Sequence, residues 1–165
     1  MATLILLSAI PGSGKSTWAR EYKSAHPNTY IVSSDNVRKR LFGDAQNFGN
    51  EELVWKTYLE DLNIHALEDC VVIADATNLQ NKYREYYYKM TPLFSKHVLV
   101  LFRIPFEICM LQNKMRSRVV SDEAMRSLEA EYEEPTEEII SLYDEFIVVD
   151  ESYISKEAKR IMEGK

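Results

Sequence analysis

Hydrophobic residues cluster in short runs that alternate with longer segments of mixed polarity. Five runs are apolar at most positions: Thr3 to Ser8, Tyr30 to Ser33, Cys70 to Ala74, Lys96 to Phe102 and Phe146 to Val149. Short apolar runs bounded by turn residues are typical of strands that are buried on both faces of a sheet. The pattern therefore predicts five strands.

The segments between these runs carry apolar residues at roughly helical spacing, and capping residues mark several of their starts. Ser34 or Asp35 can cap the second helix, and Gly43 to Asn50 is a polar loop. The predicted helices are Lys15 to Ala25, a helix ending near Phe42, Glu51 to Asp69, Gln80 to Phe94, a helix opened by Pro105, and a last one from about Ser155.

This alternation of strands and helices predicts an α/β fold in three layers, with a mostly parallel central sheet of about five strands covered by helices on both faces. In such sheets ligands bind at the carboxyl ends of the strands. With 165 residues, the chain has the length of one domain, and we expect a single domain over residues 1 to 165.

Composition narrows the possible partners. The net charge of -6 and the pI near 5.2 argue against a broad basic surface for long nucleic acid, but they are compatible with binding a short nucleic-acid end. Cys70 and Cys109 lie in apolar stretches without metal-ligand spacing, which indicates core thiols. The first residues lack a basic leading segment, so we expect a cytoplasmic protein that does not contact membranes.

The first chemical motif is a phosphate-binding loop directly after the first strand. The segment AIPGSGKST, residues 9 to 17, follows the pattern G-x-x-x-x-G-K-[ST], with Ala9 at the first glycine position. Lys15 is expected to reach the β and γ phosphates of ATP, and Ser16 to ligate Mg²⁺. The residues expected to contact the nucleotide are Pro11, Gly12, Ser13, Gly14, Lys15, Ser16 and Thr17. The loop predicts a P-loop protein that binds a nucleoside triphosphate.

Asp35 and Arg38 follow the second strand, three residues apart at the start of a helix, so both can face one cleft. Phosphoryl transfer to a hydroxyl needs a base that orients the hydroxyl and cations that hold charge on the phosphoryl group. The alternative interpretation is a helix cap at Asp35 and a solvated Arg38.

The segment PGSGKSTWAREY followed by SSDNVRKRL resembles the kinase domain of the phage polynucleotide 5′-hydroxyl kinases. The resemblance covers about residues 1 to 150. It implies that Asp35 is the general base and that Arg38 contacts an acceptor phosphate or the transition state.

The resemblance extends to VVIADATNL, where it implies that Asp75, Thr77 and Asn78 contact the acceptor. Asp75 can also act on the metal through a water molecule, since P-loop enzymes often place an acid there. The alternative is a polar turn that closes the strand.

LQNKMRSRVVSDEAM is similar to the lid of this family, and we call residues 111 to 130 the lid segment. Gln112 stands at the family's first arginine position, while Asn113 and Arg116 match the pattern. The resemblance implies that Arg116 neutralises the transferring phosphoryl group, with Arg118 as a nearby alternative. A solvated basic helix end is the structural alternative for these arginines.

Trp55 and Tyr58 either pack against the sheet, which we favour, or line an acceptor channel. Taken together, the motifs predict an ATP-dependent kinase that uses Mg²⁺, and the resemblance implies that its acceptor is the 5′-hydroxyl of an oligo- or polynucleotide. A kinase of a nucleoside, nucleotide or other small molecule is the first alternative, and an ATP-dependent regulatory binding module is the second. The oligomeric state stays open.

Overall fold

The computed structural model describes residues 1 to 150, 160 and 163. Its sheet has five strands, all paired in parallel, in the order β2-β3-β1-β4-β5. The strands are Thr3–Ser8 (β1), Thr29–Ser33 (β2), Val71–Asp75 (β3), Lys96–Phe102 (β4) and Glu145–Val149 (β5). The predicted parallel sheet is confirmed, with each strand start or end within one residue of its predicted position.

Seven helices lie between and beside these strands in the described part of the chain. They are Lys15–Ala25 (α1), Ser34–Phe42 (α2), Glu51–Asn63 (α3), Asn81–Lys89 (α4), Phe106–Lys114 (α5), Asp122–Glu131 (α6) and Glu137–Leu142 (α7). The helix predicted from about Ser155 lies outside the described residues.

The central strand β1 is buried on both faces, which explains its continuous apolar sequence. Leu4 and Leu6 pack on one face with residues of α3, α4 and α7. Ile5 and Leu7 pack on the other face with residues of α1, α5 and α6. Each fully buried leucine contributes about 1.5–3 kcal/mol of hydrophobic stabilisation. The three-layer prediction is therefore confirmed.

Three helix boundaries differ from the prediction. The second helix is capped by Ser33, whose Oγ accepts a hydrogen bond from the Asn36 amide, rather than by Ser34 or Asp35. Helix α3 ends at Asn63 rather than Asp69, and Leu67 beyond it is 84% exposed, so it does not continue the apolar face. Helix α4 runs only to Lys89 because Pro92 follows and disfavours helix just before itself.

Cys70 and Cys109 are buried free thiols, as predicted. Tyr58 is fully buried in the core, whereas Trp55 only packs against it. Among the described residues, no helix combines the length and the apolar character needed to cross a bilayer.

Candidate active site

The phosphate-binding loop joins β1 to α1 and depends on two glycines in left-handed backbone conformation. Gly12 has φ 83° and Gly14 has φ 93°, a region that side chains with a Cβ atom rarely adopt. At Gly12 a Cβ atom would also lie 2.2 Å from the carbonyl oxygen of Cys109 in α5. Helix α5 therefore packs directly on the loop.

Lys15, Ser16 and Asp75 meet at the carboxyl ends of β1 and β3. Ser16 Oγ donates a hydrogen bond of 3.1 Å to Asp75 Oδ2, and Lys15 Nζ lies 3.5 Å from Asp75 Oδ1. Lys15 and Asp75 are 9% and 7% exposed. Hydroxyl and carboxylate oxygens are hard ligands of the kind that Mg²⁺ prefers, and Mg²⁺ usually keeps several waters beside one or two protein ligands. The pair Ser16 and Asp75 fits such a site.

Asp35 and Arg38 are brought to the same edge by strand register. Ser33 of β2 pairs with Asp75 of β3, so α2 begins beside the end of β3. Arg38 Nη1 donates a 2.9 Å hydrogen bond to Asp35 Oδ1, and both residues line the cleft described below. The predicted shared cleft is observed, but Arg38 is only 5% exposed and is not solvated.

Glu51 was not among the predicted site residues. It is the first residue of α3, and its carboxylate accepts from Arg38 Nε at 2.8 Å and from Arg38 Nη2 at 2.6 Å. Phe48 and Trp55 flank the same guanidinium, with their ring centroids 4.8 and 5.4 Å from Arg38 Cζ. An acid at a helix start is a common sequence feature, so it did not indicate this long-range pair.

Two arginines of the lid segment, Arg116 and Arg118, lie close to Asp35. Arg118 Nη1 lies 3.0 Å from Asp35 Oδ2, so both carboxylate oxygens of Asp35 face a guanidinium. Arg116 Nη1 is buried, and no hydrogen-bond partner for it is found within the described chain. Burial lowers the pKa of Arg116, while the Asp35 carboxylate acts in the opposite direction. Both candidate lid arginines lie at the cleft.

Gln112 and Asn113 hold the start of the lid segment. Gln112 Nε2 donates a 2.7 Å hydrogen bond to the carbonyl oxygen of Gly12. Asn113 Nδ2 donates to the Val120 carbonyl oxygen at 2.6 Å, and Asn113 Oδ1 accepts from the Val120 amide at 3.0 Å. The glutamine at the arginine position thus contacts the phosphate-binding loop itself.

Thr77 and Asn78 differ in placement. Thr77 lines the cleft, and its carbonyl oxygen accepts from the Ala9 amide at 2.8 Å. Asn78 has φ 43°, is 4% exposed, and donates through Nδ2 to the Leu7 carbonyl oxygen at 2.9 Å. It is absent from the cleft lining. The structure therefore shows Asn78 as a residue that holds the β3–α4 loop against β1.

Arg84 is a fully buried residue that the sequence did not point to. Its guanidinium donates to Ser8 Oγ at 3.0 Å and to the carbonyl oxygens of Leu79 and Glu133 at 3.1 and 2.7 Å. Burial lowers its pKa. Arg84 joins the end of β1 to the chain that follows the lid segment.

Lys15, Ser16, Asp35, Arg38, Asp75 and both lid arginines line one cleft of about 1880 Å³. Its lining includes residues of the phosphate-binding loop and of α1 (Pro11, Gly12, Gly14, Lys15, Ser16 and Thr17) together with Asp35, Arg38, Phe48 and Trp55. Ser13 is fully buried and does not line it. The structure thus brings a phosphate-binding loop and a carboxylate into one space.

Residues 4 to 135 match the family model described as AAA domain. The chain belongs to this family. A curated relative, protein Kti12 of Schizosaccharomyces pombe, is 25% identical over 149 residues that cover 80% of this chain and 52% of the relative. The chain thus spans about half the length of the curated relative it matches.

Two solved structures share the fold of this AAA domain. One is in the Pnkp1/Rnl/Hen1 RNA repair complex, with TM-score 0.69, 23% identity, and coverage of 79% of this chain and 43% of that one. The other is a gluconokinase from Sinorhizobium meliloti 1021, with TM-score 0.63, 18% identity, and coverage of 98% and 94%. These likenesses confirm the P-loop kinase fold, and the family is one of nucleotide-binding P-loop domains.

Proposed function

We propose that the chain is an ATP-dependent phosphotransferase that moves the γ-phosphate to the 5′-hydroxyl of an oligo- or polynucleotide. The observation that carries this proposal is the shared cleft, which is lined by Asp35 as well as by Lys15, Ser16 and Asp75. A base and a phosphate-binding loop in one cleft are what phosphoryl transfer to a hydroxyl requires.

Residues 11 to 17 would hold the triphosphate of ATP, with Lys15 on the β and γ phosphates. Ser16 would ligate Mg²⁺ directly, and Asp75 would contact it through a water molecule. When bound, the metal neutralises charge on the β and γ phosphates. Gly12 and Gly14 allow backbone N–H groups to approach phosphate oxygens, since neither carries a Cβ atom.

In the transfer step, the acceptor hydroxyl oxygen bonds to the γ-phosphorus, the bond from that phosphorus to the β-γ bridging oxygen breaks, and ADP leaves. Asp35 takes the hydroxyl proton. Arg38 orients Asp35 through its Nη1 contact, and Arg116 offers an unpartnered buried Nη1 to the moving phosphoryl group. Asp75 and Thr77 remain our proposed acceptor contacts, whereas Asn78 does not line the cleft and is left out of the proposal.

Two aromatic side chains favour a nucleic-acid end as the acceptor. Phe48 is 61% exposed at the acceptor end of the cleft, and Trp55 lines the cleft beside it. Aromatic faces stack with nucleobases with little sequence preference. The RNA repair complex that shares this fold adds support. The acidic net charge is compatible with contacts confined to the end of the strand.

A small-molecule kinase is the second candidate. The Glu51 carboxylate accepts two hydrogen bonds from the Arg38 guanidinium, and its negative charge reduces the attraction of Arg38 for the phosphates of a polynucleotide. The gluconokinase covers nearly the whole chain in the same fold. A regulatory ATP-binding module is less well supported, because binding ATP needs an acid near the metal, such as Asp75, but not the second acid Asp35 in the same cleft. The cytoplasmic location remains a prediction.

The test is transfer of label from γ-labelled ATP with Mg²⁺ to 5′-hydroxyl DNA and RNA oligomers, nucleosides and nucleotides. We expect labelled oligomers, and we expect Asp35→Ala to lower the rate by at least about a hundredfold because the base is lost. Asp69→Ala is the matched control, since Asp69 is an exposed acid outside the cleft. Label found only on small acceptors would contradict the polynucleotide proposal, and ATP hydrolysis without transfer would favour a regulatory module.

A further inference from the structure

We propose that Arg20 and Lys23 of α1 bind the phosphates of the acceptor strand beyond its first internucleotide linkage, so that the protein binds an oligonucleotide more tightly than its terminal nucleotides alone. This inference rests on the proposed function and deepens it. The occupant to which it commits is a single nucleic-acid strand with a 5′-hydroxyl end.

The first support is the face of α1 on which the two side chains lie. Arg20 and Lys23 follow Ser16 by four and seven residues, and this spacing puts the three side chains on one face of a helix. Ser16 Oγ donates to Asp75 Oδ2 at the end of β3. Trp18 points elsewhere, since its ring packs edge-on against β4. The face that carries Arg20 and Lys23 is therefore turned away from β4, toward β3 and β2.

The second support is the course of the cleft. Arg20 and Lys23 line the same cleft as Asp35, and Ile31 of β2 lines it as well. In the described sheet β2 is an edge strand, so an acceptor whose end lies at Asp35 can leave the cleft beside α1. At a rise of about 1.5 Å per residue, the two cations lie about 6 and 10 Å beyond Ser16 along the helix axis. These distances are comparable to two and three phosphate spacings of about 3.4 Å each in a stacked strand.

The third support is that neither cation is neutralised by the protein. Within the described residues, no carboxylate lies at ion-pair distance from Arg20 or Lys23, whereas Arg38 and Arg118 already contact carboxylates. Arg20 Nη2 donates only a long hydrogen bond of 3.4 Å to Thr17 Oγ1. Both cations are exposed, so a phosphate can reach them. Although the whole chain has a net charge of -6, this part of the cleft is complementary to an anionic strand.

Glu21 stands between the two cations in the sequence and also lines the cleft. Successive residues of a helix are about 100° apart around its axis, so Glu21 lies off the face that Arg20 and Lys23 share. Two positive charges and one negative charge leave this turn of the helix positive.

The experiment compares a dimer and an octamer, of thymidylate and of uridylate, as 5′-hydroxyl acceptors at several salt concentrations. For the wild type we expect kcat/KM to be at least about tenfold higher for the octamer, because only the octamer reaches Arg20 and Lys23. For the double variant Arg20→Ala, Lys23→Ala we expect the two acceptors to be used within about twofold of each other. The slope of log kcat/KM against log salt for the octamer should be shallower by about 1.4, since each phosphate contact on a single strand contributes about 0.7.

The matched control is the double variant Lys82→Ala, Lys89→Ala. It removes the same charge from two exposed residues of α4 that do not line the cleft. We expect its ratio and its salt dependence to equal those of the wild type. Alanine favours helix at all these positions, and each ratio is taken on one protein sample, so partial unfolding of a variant cancels.

Equal use of the dimer and the octamer by the wild type would overturn the inference and leave the proposed function intact. An unchanged ratio and salt dependence in Arg20→Ala, Lys23→Ala would overturn it as well. If that variant instead raised the KM for ATP at an unchanged ratio, the two side chains would belong to the donor site and the inference would be wrong. No transfer by the wild type to any oligomer would overturn the proposed function and this inference together.

Discussion

At the scale of single residues, the site depends on contacts between backbone atoms that leave no room for a side chain. Gly12 combines a left-handed φ of 83° with a close approach to the Cys109 carbonyl oxygen. Gly43 has a similar φ of 78°, but no atom lies within 4 Å of the place where its Cβ would be. The two glycines separate the effect of backbone strain from the effect of crowding.

We predict that Gly12→Ala lowers the free energy of unfolding by clearly more than Gly43→Ala. Gly43→Ala should cost about 1–2 kcal/mol from left-handed strain alone. Gly12→Ala must also push α5 away from the loop, so the Gly12→Ala variant should bind ATP more weakly than the wild type. The Gly43→Ala variant should bind ATP as the wild type does. Denaturant unfolding and ATP titration measure the two quantities. Equal losses in both variants would contradict the role assigned to crowding.

At the scale of elements, α5, the lid segment and the phosphate-binding loop form one connected unit. Asn113 joins the end of α5 to Val120 just before α6, and Gln112 joins α5 to the carbonyl oxygen of Gly12. The amide and the carbonyl of Val120 both depend on one side chain. Asn113 therefore ties the two ends of the segment from residue 113 to residue 120 together.

We predict that Asn113→Ala leaves these two backbone groups without their partner and costs about 1–3 kcal/mol of stability. The Val120 amide should then exchange its hydrogen for deuterium faster, and transfer should slow because Arg116 and Arg118 lose their fixed position. Asn63→Ala is a suitable comparison, since Asn63 Nδ2 bonds to the carbonyl oxygens of Leu59 and Met90 far from the lid. Unchanged exchange at Val120 would refute the prediction.

Much of the site could be predicted because its residues follow strands. Asp75 ends β3 and Asp35 lies two residues beyond the end of β2, and parallel strands bring such ends to one edge. The Arg38–Glu51 and Asn113–Val120 contacts could not be predicted. Each joins residues on the two sides of a loop, and the sequence of a loop has no periodic apolar pattern that would indicate its path. Asn78 was placed with the acceptor from its motif, but its left-handed backbone turns the amide toward Leu7.

At the scale of the whole molecule, one buried histidine makes stability depend on pH. His97 at the start of β4 is 7% exposed, and its Nε2 lies 2.9 Å from Thr91 Oγ1 and 3.0 Å from the Thr91 carbonyl oxygen. Burial lowers the pKa of His97 below its ordinary value of 6.5. The unfolded chain therefore binds this proton at a higher pH than the folded chain does.

We predict that the contribution of neutral His97 is complete above pH 6.5 and declines as the pH falls from there through the lower pKa of the folded state. His97→Gln should be less stable than the wild type at pH 7.5 but should lose less of its melting temperature between pH 7.5 and 5.5. His26→Gln serves as control because His26 is exposed. Equal losses in His97→Gln and the wild type would exclude His97 as the source.

The two arginines that face Asp35 bear on how the protein would conserve ATP. A carboxylate able to deprotonate an acceptor hydroxyl can also activate water, which would waste the nucleotide. Arg38 contacts one carboxylate oxygen of Asp35 and Arg118 contacts the other, so each oxygen already has a guanidinium partner. A water molecule would have to compete with a guanidinium for Asp35, whereas under the proposed function an acceptor that stacks on Phe48 and Trp55 would gain binding energy that offsets the loss of the Arg118 contact. The two ion pairs of Asp35 would then keep ATP hydrolysis slow as long as no acceptor is bound.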